Sequence, residues 1–109
     1  MLHEIAEASN VGIELDESSI PIRDEVRGAC EILGLDPLYV ANEGKLVAVV
    51  PANQSERALT ALRSHPLGKN AAIVGTVAST RPRVVTMRTA LGSERVVAML
   101  AGEQLPRIC

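Results

Sequence analysis

The stretch Val11-Gly-Ile-Glu-Leu-Asp16 alternates apolar and polar residues, which places Val11, Ile13 and Leu15 on one side of an extended chain. Successive side chains of a strand point to opposite faces, so this is the pattern of a strand with one face covered. On its amino side, Leu2, Ile5, Ala6 and Ser9 recur at helical spacing and predict a short helix over residues 2–9, with no capping residue before it. On its carboxy side, a polar turn (Asp16-Glu-Ser-Ser-Ile-Pro21) leads to a predicted helix from about Ile22 to Leu33. There Ile22, Val26, Ala29, Cys30 and Leu33 form the apolar stripe, and Gly34 supplies the stop. Asp36-Pro37 is a turn signal. Beyond it, Leu38-Tyr-Val-Ala41 and Lys45-Leu-Val-Ala-Val-Val50 predict two strands around the tight turn Asn42-Glu-Gly44, with Pro51 ending the second.

Asn53 and Glu56 have the spacing of a capping box and open a predicted helix to about His65, with Ala58, Leu59 and Leu62 facing inward; Pro66 and Gly68 close it. Three β-type runs follow, Ala71–Ser79, Arg83–Arg88 and Arg95–Leu100, joined by Thr80-Arg-Pro82 and Leu91-Gly-Ser93. The grouping β-α-ββ-α-βββ predicts an α+β domain over residues 1–100, a mainly antiparallel or mixed sheet with helices packed on one face. After Leu100 the apolar periodicity stops, and Ala101-Gly-Glu-Gln-Leu-Pro-Arg-Ile-Cys109 is expected to be a mobile tail. Nine residues at about 3.3 Å each reach roughly 30 Å.

The 109 residues, 47% of them hydrophobic, suffice for one compact domain and exclude a two-domain enzyme. A net charge of −2 gives no global attraction to nucleic acid or anionic lipid. Phe and Trp are absent and Tyr39 is the single aromatic residue, so the core must be aliphatic. The same scarcity argues against a surface for stacked bases, because each stack needs an aromatic face and Tyr39 cannot supply it alone. No apolar run approaches the roughly 18 to 20 residues of a transmembrane helix. The acidic opening Met1-Leu-His-Glu-Ile-Ala-Glu7 lacks the form of a signal peptide, so a cytoplasmic location is expected.

Few residues are placed for chemistry. His3 and His65 are isolated, Cys30 lies inside a helical apolar stripe as a small buried hydrophobe would, and no Cys/His pair has metal-ligand spacing. Arg81, Arg83, Arg88 and Arg95 lie near adjacent strands, but Arg83 and Arg88 fall on opposite faces of theirs, which favours a solvated edge over an anion patch. Gly75 inside a strand run indicates either a bulge or a close backbone approach. There is no Gly-rich phosphate loop. The unusual placement is Cys109, the final residue of the tail. A terminal side chain enters a narrow cleft end-on, as suits a thiol that carries a group between sites. Its α-carboxylate disfavours the thiolate and Arg107 favours it.

Three segments carry a resemblance to the carboxy-terminal part of the HypE hydrogenase maturation proteins, within the aminoimidazole ribonucleotide synthetase superfamily. They are Leu105-Pro-Arg-Ile-Cys109, Gly34-Leu-Asp-Pro-Leu38 and Ala41-Asn-Glu-Gly-Lys-Leu-Val-Ala-Val-Val-Pro51; the stretch from Leu2 to Asp16 also resembles the start of that domain. The Asp-Pro-Leu and Asn-Glu-Gly segments are shared across the superfamily and indicate fold, whereas the terminal Pro-Arg-Ile-Cys is specific. The resemblance implies that Cys109 receives a carbamoyl group from the carbamoyltransferase HypF, with Pro106, Arg107 and Ile108 positioning the tail. It further implies ATP-dependent dehydration of the S-carbamoyl group to thiocyanate, and delivery of the cyano group to the HypC–HypD scaffold as a ligand for [NiFe]-hydrogenase iron. Glu43 matches the Glu of the Asn-Glu-Gly motif and is implied to accept a proton, against a plainer role as a turn carboxylate. Lys45 reads as a solvated edge residue.

In that family an amino-terminal domain supplies most ATP and Mg ligands. By that comparison the present chain is expected to be an isolated carboxy-terminal domain that binds no ATP productively and is inactive alone as a dehydratase. A different class, a small α+β module for ligand binding or dimerisation, stays open; deleting Cys109 would spare its binding and abolish a carrier role. A thiol redox protein would need a resolving partner that Cys30 is badly placed to be.

Overall fold

A computed structural model describes residues 1–40 and 44–97. Seven regular elements occur among them: α1 (Leu2–Ser9), β1 (Gly12–Asp16), α2 (Asp24–Leu33), α3 (Ser55–Arg63), β2 (Gly75–Ala78), β3 (Val85–Arg88) and β4 (Glu94–Val96). The strands form one sheet in the order β2-β1-β3-β4. β1 runs antiparallel to β2 and parallel to β3, and β3 runs antiparallel to β4. The fold is α+β with a mixed sheet, as the sequence predicts.

The chain divides into two compact units. The first comprises Met1–Pro21 with Val49–Ala98 and contains the sheet, α1 and α3. Its core is aliphatic: Ala6, Ile13, Leu15, Val85, Met87 and Val97 are buried, and α1 lies against β1 and β3. Ile13 pairs with Val85 and Leu15 with Met87, so the alternation of β1 continues onto one face of β3. The β2–β3 connection crosses the end of β1 at Gly12, where a Cβ would stand 2.2 Å from the Thr80 carbonyl oxygen. Gly75 resolves the same way: a Cβ there would lie 2.2 Å from the Glu14 carbonyl oxygen, so its role is close backbone approach.

The second unit includes Ile22–Ala48 and carries α2. Gly34 closes that helix in the left-handed region (φ 70°), with the Leu35 amide donating to the Cys30 carbonyl at 2.8 Å. Cys30 is buried, as expected, but Val26 and Leu33 of the predicted stripe are exposed.

Three local predictions fail. Residues 38–40 form a turn in place of a strand, because the Asp36 carboxylate accepts from the Leu38 amide at 3.0 Å and the Asp36 carbonyl from the Tyr39 amide at 3.0 Å. Lys45–Val50 is not a strand either: Leu46, Val47, Val49 and Val50 are exposed and no ladder pairs them. An apolar run becomes a strand only where an edge is available to pair with it. The capping box also does not form. A 3₁₀ turn over Ala52–Gln54 precedes α3, Gln54 occupies the cap position without a side-chain bond, and the Ser55 hydroxyl donates back to the Ala52 carbonyl at 2.9 Å. Ala58, Leu59 and Leu62 nonetheless lie on the more covered face of α3, half-buried.

Candidate functional site

Glu43, Pro106, Arg107, Ile108 and Cys109 lie outside the described residues. What the fold positions is the point from which the last segment departs. Thr89 and Ser93 close the β3–β4 hairpin, the Thr89 amide donating to the Ser93 carbonyl at 2.7 Å and Gly92 turning at φ 90°. β4 then returns beside β3, and the buried Val97 donates its amide to the Val85 carbonyl at 2.8 Å.

The same end of the sheet carries an arginine corner. Arg81 (φ 48°) and Arg83 (φ 67°) both sit in the left-handed region around Pro82, and Asn10 (φ 54°), the cap of α1, joins them there. The Arg83 amide donates to the Val11 carbonyl at 2.9 Å, and its Nε donates to Asn10 Oδ1 at 3.2 Å. Arg81 Nη1 is bound to Glu94 Oε1, and the hydrogen bond and charge of that carboxylate raise the guanidinium above its ordinary value. Sequence patterning missed this corner. Asn after a helix was the available signal, since Asn tolerates the left-handed region; Pro82 gave none, because the residue before a proline favours extended backbone, not the left-handed region that Arg81 adopts.

At the opposite end of β1, Asp16 accepts from the Ser18 hydroxyl at 2.8 Å, the Ser18 amide at 3.2 Å and the Ser19 hydroxyl at 3.3 Å. These bonds, led by the Ser18 hydroxyl and helped by the charge of Arg88, outweigh desolvation and hold its carboxyl below the usual range. This is a strand-to-turn cap.

The histidines do not converge. His65 Nδ1 accepts from the Leu67 amide at 3.1 Å, a local cap, and His3 Nε2 is buried without a partner. Among the described residues no three His, Cys, Asp or Glu side chains could hold a metal ion, and no helix is long and apolar enough to cross a membrane. A shallow hollow on α3, lined by Glu56, Arg57, Thr60 and Ala61, includes no residue singled out from the sequence.

The sheet order, the α+β architecture and an aliphatic core define the class, and comparison with known families agrees. Residues 1–87 match the model of the AIR synthase related protein, C-terminal domain, and the chain belongs to that family. Within it, the chain is 58% identical over 108 residues to the carbamoyl dehydratase HypE of Azotobacter vinelandii, covering 99% of this chain and 32% of that protein. A crystal structure of the hydrogenase maturation protein HypE in complex with ATP superposes with a TM-score of 0.90 at 47% identity, over 99% of this chain and 33% of that one. A HypE–HypF complex superposes with a TM-score of 0.83 at 42% identity, over 89% of this chain and 31% of that one. The chain thus spans about a third of the length of the relatives it matches.

Proposed function

We propose that this chain is the carboxy-terminal domain of a HypE-type carbamoyl dehydratase, with residues 1–100 as the body and 101–109 as the carrier segment. The observation that carries this reading is the 58% identity to a carbamoyl dehydratase along 99% of the chain. The terminal Pro106-Arg107-Ile108-Cys109 supports it.

In this reading the Cys109 thiolate attacks the carbamoyl carbon presented by HypF; the new C–S bond stays on this chain, and the bond from that carbon to its activating group breaks, the electron pair leaving with that group. Arg107 lowers the cost of the thiolate next to the terminal carboxylate. Dehydration then removes the carbonyl oxygen and both protons on nitrogen, leaving S–C≡N. Glu43 is the proposed proton acceptor, in a role that requires approach to about 2.6 to 3.2 Å of the nitrogen. ATP with Mg is the proposed activator of the oxygen, and no step of that activation is assigned to the described residues. The cyano group then passes to iron on HypC–HypD as cyanide, the S–C bond breaking to return the Cys109 thiolate with two electrons drawn from the receiving complex. A cytoplasmic location fits a carrier thiol that must stay reduced.

Cys109 lies twelve residues beyond Val97. At about 3.3 Å each they span at most ~40 Å, enough to move a thiol between separate sites. The test is intact-mass spectrometry of the chain after incubation with HypF, carbamoyl phosphate and ATP. A gain of one carbamoyl mass in the parent and none in Cys109→Ala is expected; no gain in the parent, with a longer relative reacting, contradicts loading of this chain.

A further inference from the structure

We propose that the free edge of β2 is a self-association surface, which pairs antiparallel with the same edge of a second copy about a two-fold axis at Gly75. The inference is independent of the carrier reading. β2 lies at one margin of the sheet, with β1 on its inner side. The Asp16 amide donates to the Val74 carbonyl at 2.9 Å, and in the same register Glu14 faces Thr76 and Gly12 faces Ala78. Hydrogen-bonded pairs alternate along an antiparallel ladder, so Val74, Thr76 and Ala78 direct their main-chain groups to β1, and Ile73, Gly75 and Val77 direct theirs outward. Among the described residues these three outward positions have no main-chain partner. The outward carbonyl before them, that of Ala71, accepts from Arg63 Nε at 3.0 Å, so α3 caps the edge up to that point and leaves residues 72–78 open.

The side chains select the partner. Val77 lies opposite Ile13 and Gly75 opposite Leu15, on the covered face of the sheet, and Ile73 shares that face by alternation. The apolar layer there runs from Val85 and Met87 through Ile13 and Leu15, all buried, and ends unfinished at the margin, where Ile73 is 45% and Val77 44% exposed. From Ala71 to Ala78 the sequence has neither charge nor proline, the usual guards of a sheet edge. The opposite margin is guarded: β4 is three residues long, two of them are Glu94 and Arg95, and Glu94 is paired with Arg81. A strand that fits the β2 edge is therefore uncharged, with apolar side chains on either side of a small residue. A second β2 meets that description in register. With Gly75 facing Gly75, Ile73 of each copy faces Val77 of the other, and every pair sets outward amides against outward carbonyls. The open edge is short, so the buried area falls at the weak end of specific interfaces, with a dissociation constant on the order of 100 µM.

Sedimentation equilibrium of the 109-residue chain from ~5 to ~500 µM measures the mass, with a thiol reductant present so that Cys109 cannot link two copies. Amide exchange over the same range locates the contact. The expected mass rises from one chain toward two, while exchange at Ile73, Gly75 and Val77 slows about threefold, in step with the fraction of chains left unpaired. Val77→Lys sets a charge on the open edge, and Val77→Pro removes an outward amide that β1 does not use; each should weaken association by about tenfold or more. Val96→Lys, at an exposed position on the opposite margin, should associate like the parent. A parent that stays a single chain at ~500 µM, or a mass that climbs past two chains, overturns the proposal. So does association that both Val77 variants leave unchanged, that Val96→Lys abolishes, or that proceeds without slowing exchange at residues 73–77.

Discussion

The Val97 amide and the Val85 carbonyl, 2.8 Å apart, tie the last described residue to the most deeply buried strand of the sheet. Val85 and Met87 are fully enclosed, Thr86 is nearly so, and β3 has a neighbour on each side. Whatever follows Val97 therefore starts from a fixed point, and the stability of that point depends on β3.

Met87→Ala should destabilise the chain by about 2 to 5 kcal/mol, since it empties a fully enclosed site that the surrounding sheet cannot collapse to fill. Leu91→Ala, at a position 96% exposed in the hairpin, should change stability by less than about 0.5 kcal/mol. Urea unfolding of the two variants measures the contrast, and equal midpoints would show that β3 is not the core.

Gly75→Ala should cost about 2 to 3 kcal/mol, because the new methyl meets the Glu14 main chain, which cannot rotate aside as a side chain would. Gly12→Ala is expected to behave similarly through the Thr80 carbonyl. Hydrogen exchange should show loosening of the β1–β2 pairing in the Gly75 variant and of the residue 79–84 crossing in the Gly12 variant.

Asp16 gives an acid dependence of known sign. Its folded-state carboxyl titrates below the ordinary value, so its contribution is fully present above the unfolded value of about 4 and is lost as pH falls through the folded one. The melting-temperature difference between the parent and Asp16→Asn should be constant above about pH 5 and narrow progressively below about pH 4. A difference that widens on acidification would mean that the carboxylate is not held by Ser18 and Ser19.

Cys30 should be inert in the folded chain, because its thiol is buried within an element whose cap is intact. A Cys109→Ala chain should react with an aromatic disulfide reagent only after urea is added. Rapid reaction in the absence of denaturant would show that α2 opens.

Those parts of the fold that depend on local pattern were legible. The alternation of Ile13, Glu14 and Leu15 returns as buried, exposed, buried, and Gly34 ends α2 in the conformation its missing side chain allows. Pairing was not legible, because it is a relation between distant segments. Nothing in Val11–Asp16 specifies an antiparallel neighbour on one side and a parallel one on the other. The same gap explains Lys45–Val50, whose composition favours a strand while the described sheet offers it no pairing. The Asp36 side chain competed successfully for the amide that the predicted strand at Leu38 would have used. For the candidate site, the terminal Pro-Arg-Ile-Cys pattern is a sequence feature that lies outside the described residues, whereas the Asn10–Arg83 contact, seventy-three positions apart, appears only in the folded chain.

The carrier role of Cys109 is tested most directly by tandem mass spectrometry that locates the carbamoyl group after incubation with HypF, carbamoyl phosphate and ATP. The account predicts the added mass on the carboxy-terminal peptide at Cys109 and none on the peptide containing the buried Cys30. An adduct on Cys30 or on any residue other than Cys109 would contradict it.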